Sequence, residues 1–284
     1  MSMPMQPFDH RLLRDHAFGI VGPADMDRLP AGVAATALVP AALSASAHLM
    51  PGLIDLRALP QEHADALLEE IHQAHLSGAP PLLALLVDST LDAPRFARYW
   101  NARQLVNPRS GAAAWLRLHD PRVLHQLLRM LGASQRAALF GPVRALRYWI
   151  AGAWIDADAG QVAPGAAALP EPWDWDRIRR IGIINRALLA AGVHSARIDQ
   201  HSILAEQLIA RASRQHRMAQ MSDLVEFATR GLLFGAAFDS HPRVAAVLAL
   251  PVGDADSSLA DRLALLDDDV WDALRQDPPA AGAK

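Results

Sequence analysis

The stretch Trp115-Leu116-Arg117-Leu118-His119-Asp120-Pro121-Arg122-Val123-Leu124, which closes downstream at Leu139-Phe140-Gly141-Pro142, decides how this chain folds. Up to His119 apolar residues alternate with polar ones, the pattern of a strand with one buried face. Asp120 stands at an N-cap position, and Pro121 fills the first helical position, whose N–H has no intrahelical partner to lose. Val123, Leu124, Leu127, Leu128 and Leu131 follow at helical spacing. The stretch predicts a strand that turns sharply into a helix.

The segments before it alternate short apolar strands with amphipathic helices. Ala17 to Val21 reads as a strand stopped by Gly22-Pro23, and Leu53-Ile54-Asp55-Leu56 as another. Gln61 to Leu76 is a helix with Ala64, Leu67, Leu68 and Ile71 on one face and a Ser77-Gly78 exit. Leu82 to Val87, apolar throughout, fits a central strand buried on both faces. Asp92 to Val106 reads as a helix, and Arg144 to Trp154 as a hairpin or edge pair turning at Gly152.

Asp156 to Pro172 is rich in Ala, Gly and Pro and reads as a linker. Everything after it is helical in pattern. Asp174 or Asp176 caps a helix with Ile178, Ile181, Ile184 and Leu188, ending at Gly192. Asp199 caps the next, with Ile203, Leu204, Leu208 and Ile209 as its stripe. Ser222 and Asp223 open a third, and His241-Pro242 a fourth. The expected architecture is an α/β N-terminal lobe over 1–155, a small mixed sheet with flanking helices. A linker over 156–172 leads to an all-α lobe over 173–276 and a disordered tail over 277–284.

The chain has 284 residues, 51% of them hydrophobic and 20% charged, enough for one large core or two smaller ones. A formal net charge of −3 gives no electrostatic case for a nucleic-acid partner or an anionic membrane. Cysteine is absent, which excludes disulfides and thiolate metal sites and suits a reducing compartment. Met1 to His16 lacks the apolar run of a signal peptide, and no apolar run is long enough to span a bilayer. A cytoplasmic protein without direct membrane insertion is expected.

Taken together, the motifs resemble the effector adaptor chaperones of type VI secretion, the Tap/TEC-like family. The turn at Leu53-Ile54-Asp55-Leu56 is similar to the family's Leu-Asp-Leu-like turn. Leu85-Leu86-Val87-Asp88-Ser89 resembles its buried strand ending in Ser. Tyr99-Trp100 stand where the family has His-Leu, with Arg103 in the basic place. Asp120, Pro121, Arg122, Phe140, Gly141 and Pro142 are the closest match and form the structural signature. Phe234-Gly235, Phe238-Asp239 and His241-Pro242 look like the family's helical ending. The resemblance implies a non-enzymatic adaptor that binds the N-terminal region of one cognate secreted effector. It would promote loading onto the spike protein VgrG or a PAAR-type tip. Two lobes and no cofactor are implied.

Other readings of the same residues stay open. His119, Asp120 and Ser89 suggest a small α/β hydrolase-like enzyme, although the chain has no Gly-x-Ser-x-Gly elbow. An immunity protein that binds a toxin is a third possibility. His72 and His75, with Glu69 or Asp65, have the spacing for a metal, but suit a solvated helix face equally well. Arg211, Arg214, His216 and Arg217 form a basic helix end that the helix dipole explains without a ligand, with Glu206 balancing part of the charge. Trp173, Trp175, Phe234 and Phe238 are the candidate effector contacts, each with an alternative as core or as a hydrophobic staple.

Overall fold

A computed structural model describes residues 11–106, 113–158, 172–250 and 258–276. The chain divides into two compact units, Met1–Trp175 and Asp176–Lys284. In the first, α1 (Arg11–Arg14), β1 (Phe18–Val21), β2 (Thr36–Ala37) and β3 (Gly52–Asp55) precede α2 (Gln61–Ser77), with 3-10 turns at Pro23–Arg28 and Ala41–Leu49. Then come β4 (Leu85–Ser89), α3 (Ala93–Gln104), the short pair β5 (Leu105–Val106) and β6 (Ala114–Trp115), α4 (Pro121–Met130) and α5 (Ala133–Phe140). The hairpin β7 (Val143–Ile150) and β8 (Ala153–Asp158) completes the unit.

Six strands form one sheet in the order β2-β3-β1-β4-β7-β8, and each pairing is antiparallel. The register sets which side chains share a face. Phe18 lies opposite Val87, and Val87 opposite Leu146, so these three point the same way. Against them packs α3: Phe96 stacks on Phe18 at 4.4 Å between centroids, and Trp100 on Phe96 at 5.4 Å. Helix α4 covers the same face further along, where His125 meets the Tyr148 hydroxyl at 3.1 Å. Val21, Ile54 and Leu86 face the other way, into a cluster with Leu12, Leu13, Leu82, Leu83 and the α2 residues Leu67 and Ile71. Helices on both faces explain why Leu85, Leu86 and Val87 are completely buried.

Local chemistry places most element ends. Asp92 caps α3 by accepting from the Arg95 N–H at 2.8 Å, with Pro94 in the first turn. Gly78, at φ +70°, ends α2 in the left-handed conformation, at the Ser77-Gly78 exit expected from the sequence. In the β7–β8 hairpin Ile150 pairs with Ala153, so Ala151 and Gly152 are the whole loop, at φ +50° and +91°. Two positive φ values match the strand twist, but Ala151 takes one without the freedom of Gly or Asn.

The expected strand through His119 is corrected. Only Ala114–Trp115 is strand, paired with Leu105 and Val106. The Leu116 N–H bonds the Gln104 carbonyl at 2.7 Å, and Leu118 N–H to Leu116 O (2.8 Å) and Asp120 N–H to Arg117 O (2.9 Å) then fold the chain into a turn. The turn still buries Leu116 and Leu118 and exposes Arg117, so the alternation survives without a strand. The same pairing ends the preceding helix at Gln104, short of Val106. The linker expected from Asp156 starts inside β8, which continues to Asp158 because Arg147 pairs with Asp156 across the hairpin. The rest of that linker through residue 171, and the tail over 277–284, lie outside the described residues.

The second unit is helical. Helix α6 (Trp175–Arg179) begins at the boundary, followed by α7 (Ile181–Ala190), α8 (Ile198–Gln215), α9 (Met221–Phe234), α10 (Pro242–Ala249), α11 (Leu259–Leu263) and α12 (Asp268–Gln276). Helix α9 is central, in contact with α7, α8, α11 and α12. Gly231 lets α8 approach it, since a Cβ there would stand 2.5 Å from Leu208 Cδ1. Two expectations on α8 are corrected. It starts at Ile198, so Asp199 sits in its first turn and is not the cap. Its buried face is Ser202, Ala205, Leu208, Ile209 and Ala212, and Ile203 is 47% exposed. The close packing against α9 selects small residues, which an apolar count overlooks.

Replacing Ala151 by Asn relieves the strained hairpin position. The variant is expected to unfold at a higher denaturant midpoint, by about 0.5–1 kcal/mol with unchanged slope.

Candidate functional site

Asp120 does three things at once. Its carboxylate accepts the Arg122 backbone N–H at 3.0 Å, capping α4, and takes two parallel hydrogen bonds from the Arg122 guanidinium, Nε and Nη2, at 2.9 Å each. Arg117 adds a second cation at 4.0 Å. Burial by itself would raise this carboxyl, but the hydrogen bonds and charge of Arg122, with Arg117 behind, outweigh it and hold Asp120 below the ordinary carboxylate value. His119 next to it is pushed down to about 4, first by burial, and its ring lies tilted against Trp115 with centroids 5.9 Å apart. At neutral pH the pair is a charged carboxylate and a neutral imidazole.

The Phe140-Gly141-Pro142 corner is held from α3 and β4. Tyr99 donates its hydroxyl to the Leu139 carbonyl at 2.8 Å. Gly141 takes φ +36°, and a Cβ there would stand 2.6 Å from the Tyr99 oxygen, so no other residue fits without displacing that hydroxyl. Ser89, fully buried, donates to the Pro142 carbonyl at 3.0 Å, and its oxygen accepts from the Leu91 N–H at 3.3 Å. Arg57 closes the other side, with its guanidinium 4.6 Å above the Phe18 ring and a hydrogen bond of 2.9 Å to the Leu91 carbonyl. The sequence offers Tyr99 as a departure from the family's His-Leu and gives no sign that it reaches a glycine 42 positions later.

These bonds bear directly on the hydrolase reading. Ser89 has one hydroxyl hydrogen, and Pro142 receives it; no hydrogen bond joins Ser89 to His119 among the described residues. Among the described residues no group of three or more His, Asp or Glu is placed to hold a metal ion. The His75 ring instead meets Trp149 edge-on at 6.2 Å.

The candidate contacts separate by burial. Phe238 is completely buried against Phe227, with centroids 4.9 Å apart, and Phe234 packs on Trp271 at 4.8 Å. Both belong to the core of the helical unit, so they are corrected as surface contacts. Trp173 and Trp175 are half-buried and stack on each other at 5.4 Å. At the basic helix end, Arg211 and His216 both bind Asp239, at 2.9 and 3.1 Å, tying α8 to the turn after α9. Glu206 bonds Arg177 rather than its own helix end.

Near its edge the first sheet has an open flank. A groove of about 460 Å³ there is lined by Thr36, Leu53 and Asp55, by Leu59, Pro60 and His63, and by Ala93, Pro94 and Ala97 of α3. The walls are mostly small or apolar, and Asp55 is the single formal charge in the lining.

Removing the Arg122 side chain would leave Asp120 buried with a backbone N–H and only the more distant Arg117 cation at 4.0 Å. Arg122→Ala is expected to lower unfolding free energy by about 1–3 kcal/mol, and Arg122→Lys to recover little, because an ammonium cannot replace the paired bonds. His119 binds a proton in the unfolded chain near 6.5 and in the folded chain only near 4. Its contribution is therefore complete above pH 6.5 and is lost as pH falls toward 4, about 3 kcal/mol at most. His119→Gln is expected to flatten denaturation midpoints over that window; the slope that remains belongs to His16, also lowered by burial, and at the acid end to the lowered carboxylates Asp120 and Asp156.

Residues 28–138 match the family model described as "Domain of unknown function (DUF4123)". The match contains Asp120, Pro121, Arg122, Tyr99 and every residue of the groove, and stops just short of Phe140. Neither the curated proteins nor the solved structures give a match. The match over residues 28–138 agrees with the resemblance of the sequence motifs to the type VI secretion effector adaptors.

Proposed function

We propose that the protein is a non-enzymatic adaptor that binds one cognate type VI effector through the effector's N-terminal region. It promotes loading of that effector onto VgrG or a PAAR-type tip. The observation that carries this reading is the family match over residues 28–138. The signature residues support it from the other side: the polar groups of Asp120 and Ser89 are engaged in holding turns, and such bonds shift and bury polar groups without any catalysis. The proposed location is the bacterial cytoplasm, and among the described residues no helix is long and apolar enough to cross a membrane.

Two surfaces suit an apolar segment of the effector. The groove beside β3 offers room for a few side chains between small walls. The stacked pair Trp173 and Trp175 offers aromatic area of the kind enriched at interface hot spots. Either would shield the segment from aggregation until the spike takes it.

Affinity purification of the full chain from secretion-active cells, followed by mass spectrometry, tests the reading. Recovery of a toxic effector together with a spike component is expected; recovery of neither would contradict it. Ala97→Trp, which fills the groove from a half-buried position, is expected to lower effector recovery about tenfold with an unchanged unfolding midpoint.

A further inference from the structure

The helical unit is electrically lopsided. From Asp176 to Gln220 it carries eight arginines against three carboxylates, Asp176, Asp199 and Glu206, whereas the stretch from Met221 onward holds eleven carboxylates against five cations. Two of the arginines are neutralised inside the unit, Arg177 by Glu206 and Arg211 by Asp239. Arg179 reaches Asp176 only at 3.8 Å, between two exposed side chains. Arg214 and Arg217 are exposed and have no carboxylate partner among the described residues.

Arg217 adds a second, independent observation. Helix α8 ends at Gln215, and the Met218 N–H reaches back to the Ala212 carbonyl at 3.1 Å, closing the helix end over residue 217. That closure puts Arg217 at φ +54°, the left-handed conformation that glycine adopts freely and the Cβ of any other L residue disfavours. The helix dipole accounts for one cation in the last turn, and Arg214 already fills that place. It does not account for a second arginine past the helix end, in a conformation that works against it and with no carboxylate partner among the described residues.

We propose that the exposed end of α8, centred on Arg214 and Arg217, is a docking surface for an acidic segment of a partner protein. Guanidinium groups bind carboxylates through paired hydrogen bonds and remain charged at any cellular pH. A protein partner fits better than a nucleic acid. The patch is short, two exposed arginines at one helix end, whereas a phosphate backbone calls for an extended basic track. The proposal stands whether or not the adaptor reading holds.

The test uses the full chain and a fluorescently labelled ten-residue peptide of Asp and Glu interspersed with Ser, titrated by polarisation over a salt series. Binding that weakens as salt rises is expected, and the Arg214→Glu, Arg217→Glu double variant should weaken it about tenfold. Arg217→Gly separates docking from folding: it should weaken the peptide about threefold while raising the Tm of the helical unit by about 2–4 °C. Arg197→Glu, at the opposite end of α8, should leave the affinity unchanged. Unchanged affinity in the double variant overturns the proposal. Tighter binding of a mixed-sequence DNA duplex than of the peptide, abolished by the same double variant, also overturns it, by making the patch a nucleic-acid surface.

Discussion

The chain enters β7 through a single crowded point, where the Tyr99 hydroxyl occupies the space that a side chain at position 141 would need. Much of the first unit depends on that constraint. Gly141 makes the turn from α5, Pro142 offers its carbonyl to the buried Ser89, and Tyr99 pins α3 to the end of α5. Strand β7 then joins β4 in register from Val143 onward, with an irregularity at Asp88 and Ser89 where the corner is tied. Once β7 is placed, Tyr148 can meet His125, and the hairpin can carry β8 to the sheet edge. A methyl group at position 141 would separate the hydroxyl from its carbonyl and loosen both faces of the sheet.

What could be read from the sequence follows the range of the interaction. Asp120 and Pro121 announce the start of α4 because capping is settled within two residues, and Gly78 announces the end of α2 for the same reason. The strand expected up to His119 fails because strand length is set by the partner, and that partner is only Leu105 and Val106. Ile203 was expected inside from its spacing, but α8 is turned by the close approach of Gly231 to Leu208, a contact between distant segments. The family signature was legible as a pattern; the reason for it, a tyrosine closing over a glycine 42 positions away, was not.

Residues that look chemical in the sequence, Asp120, Ser89 and Arg122, are bonded to one another or to backbone in the turns they define. Aromatics that look like contacts divide, with Phe234 and Phe238 in the core and Trp173 and Trp175 half-exposed. The accessible features are the groove walled by Ala93 and Ala97 and the arginines at the end of α8.

The most direct measurement compares folding with partner recovery in Tyr99→Phe, which removes the hydroxyl at the corner and touches neither accessible surface. The account predicts a lower unfolding midpoint, and effector recovery that returns to the wild-type level once temperature or osmolyte restores the folded fraction. A variant that folds as stably as the wild type and still recovers no effector would contradict it, because the signature would then be part of the binding site itself.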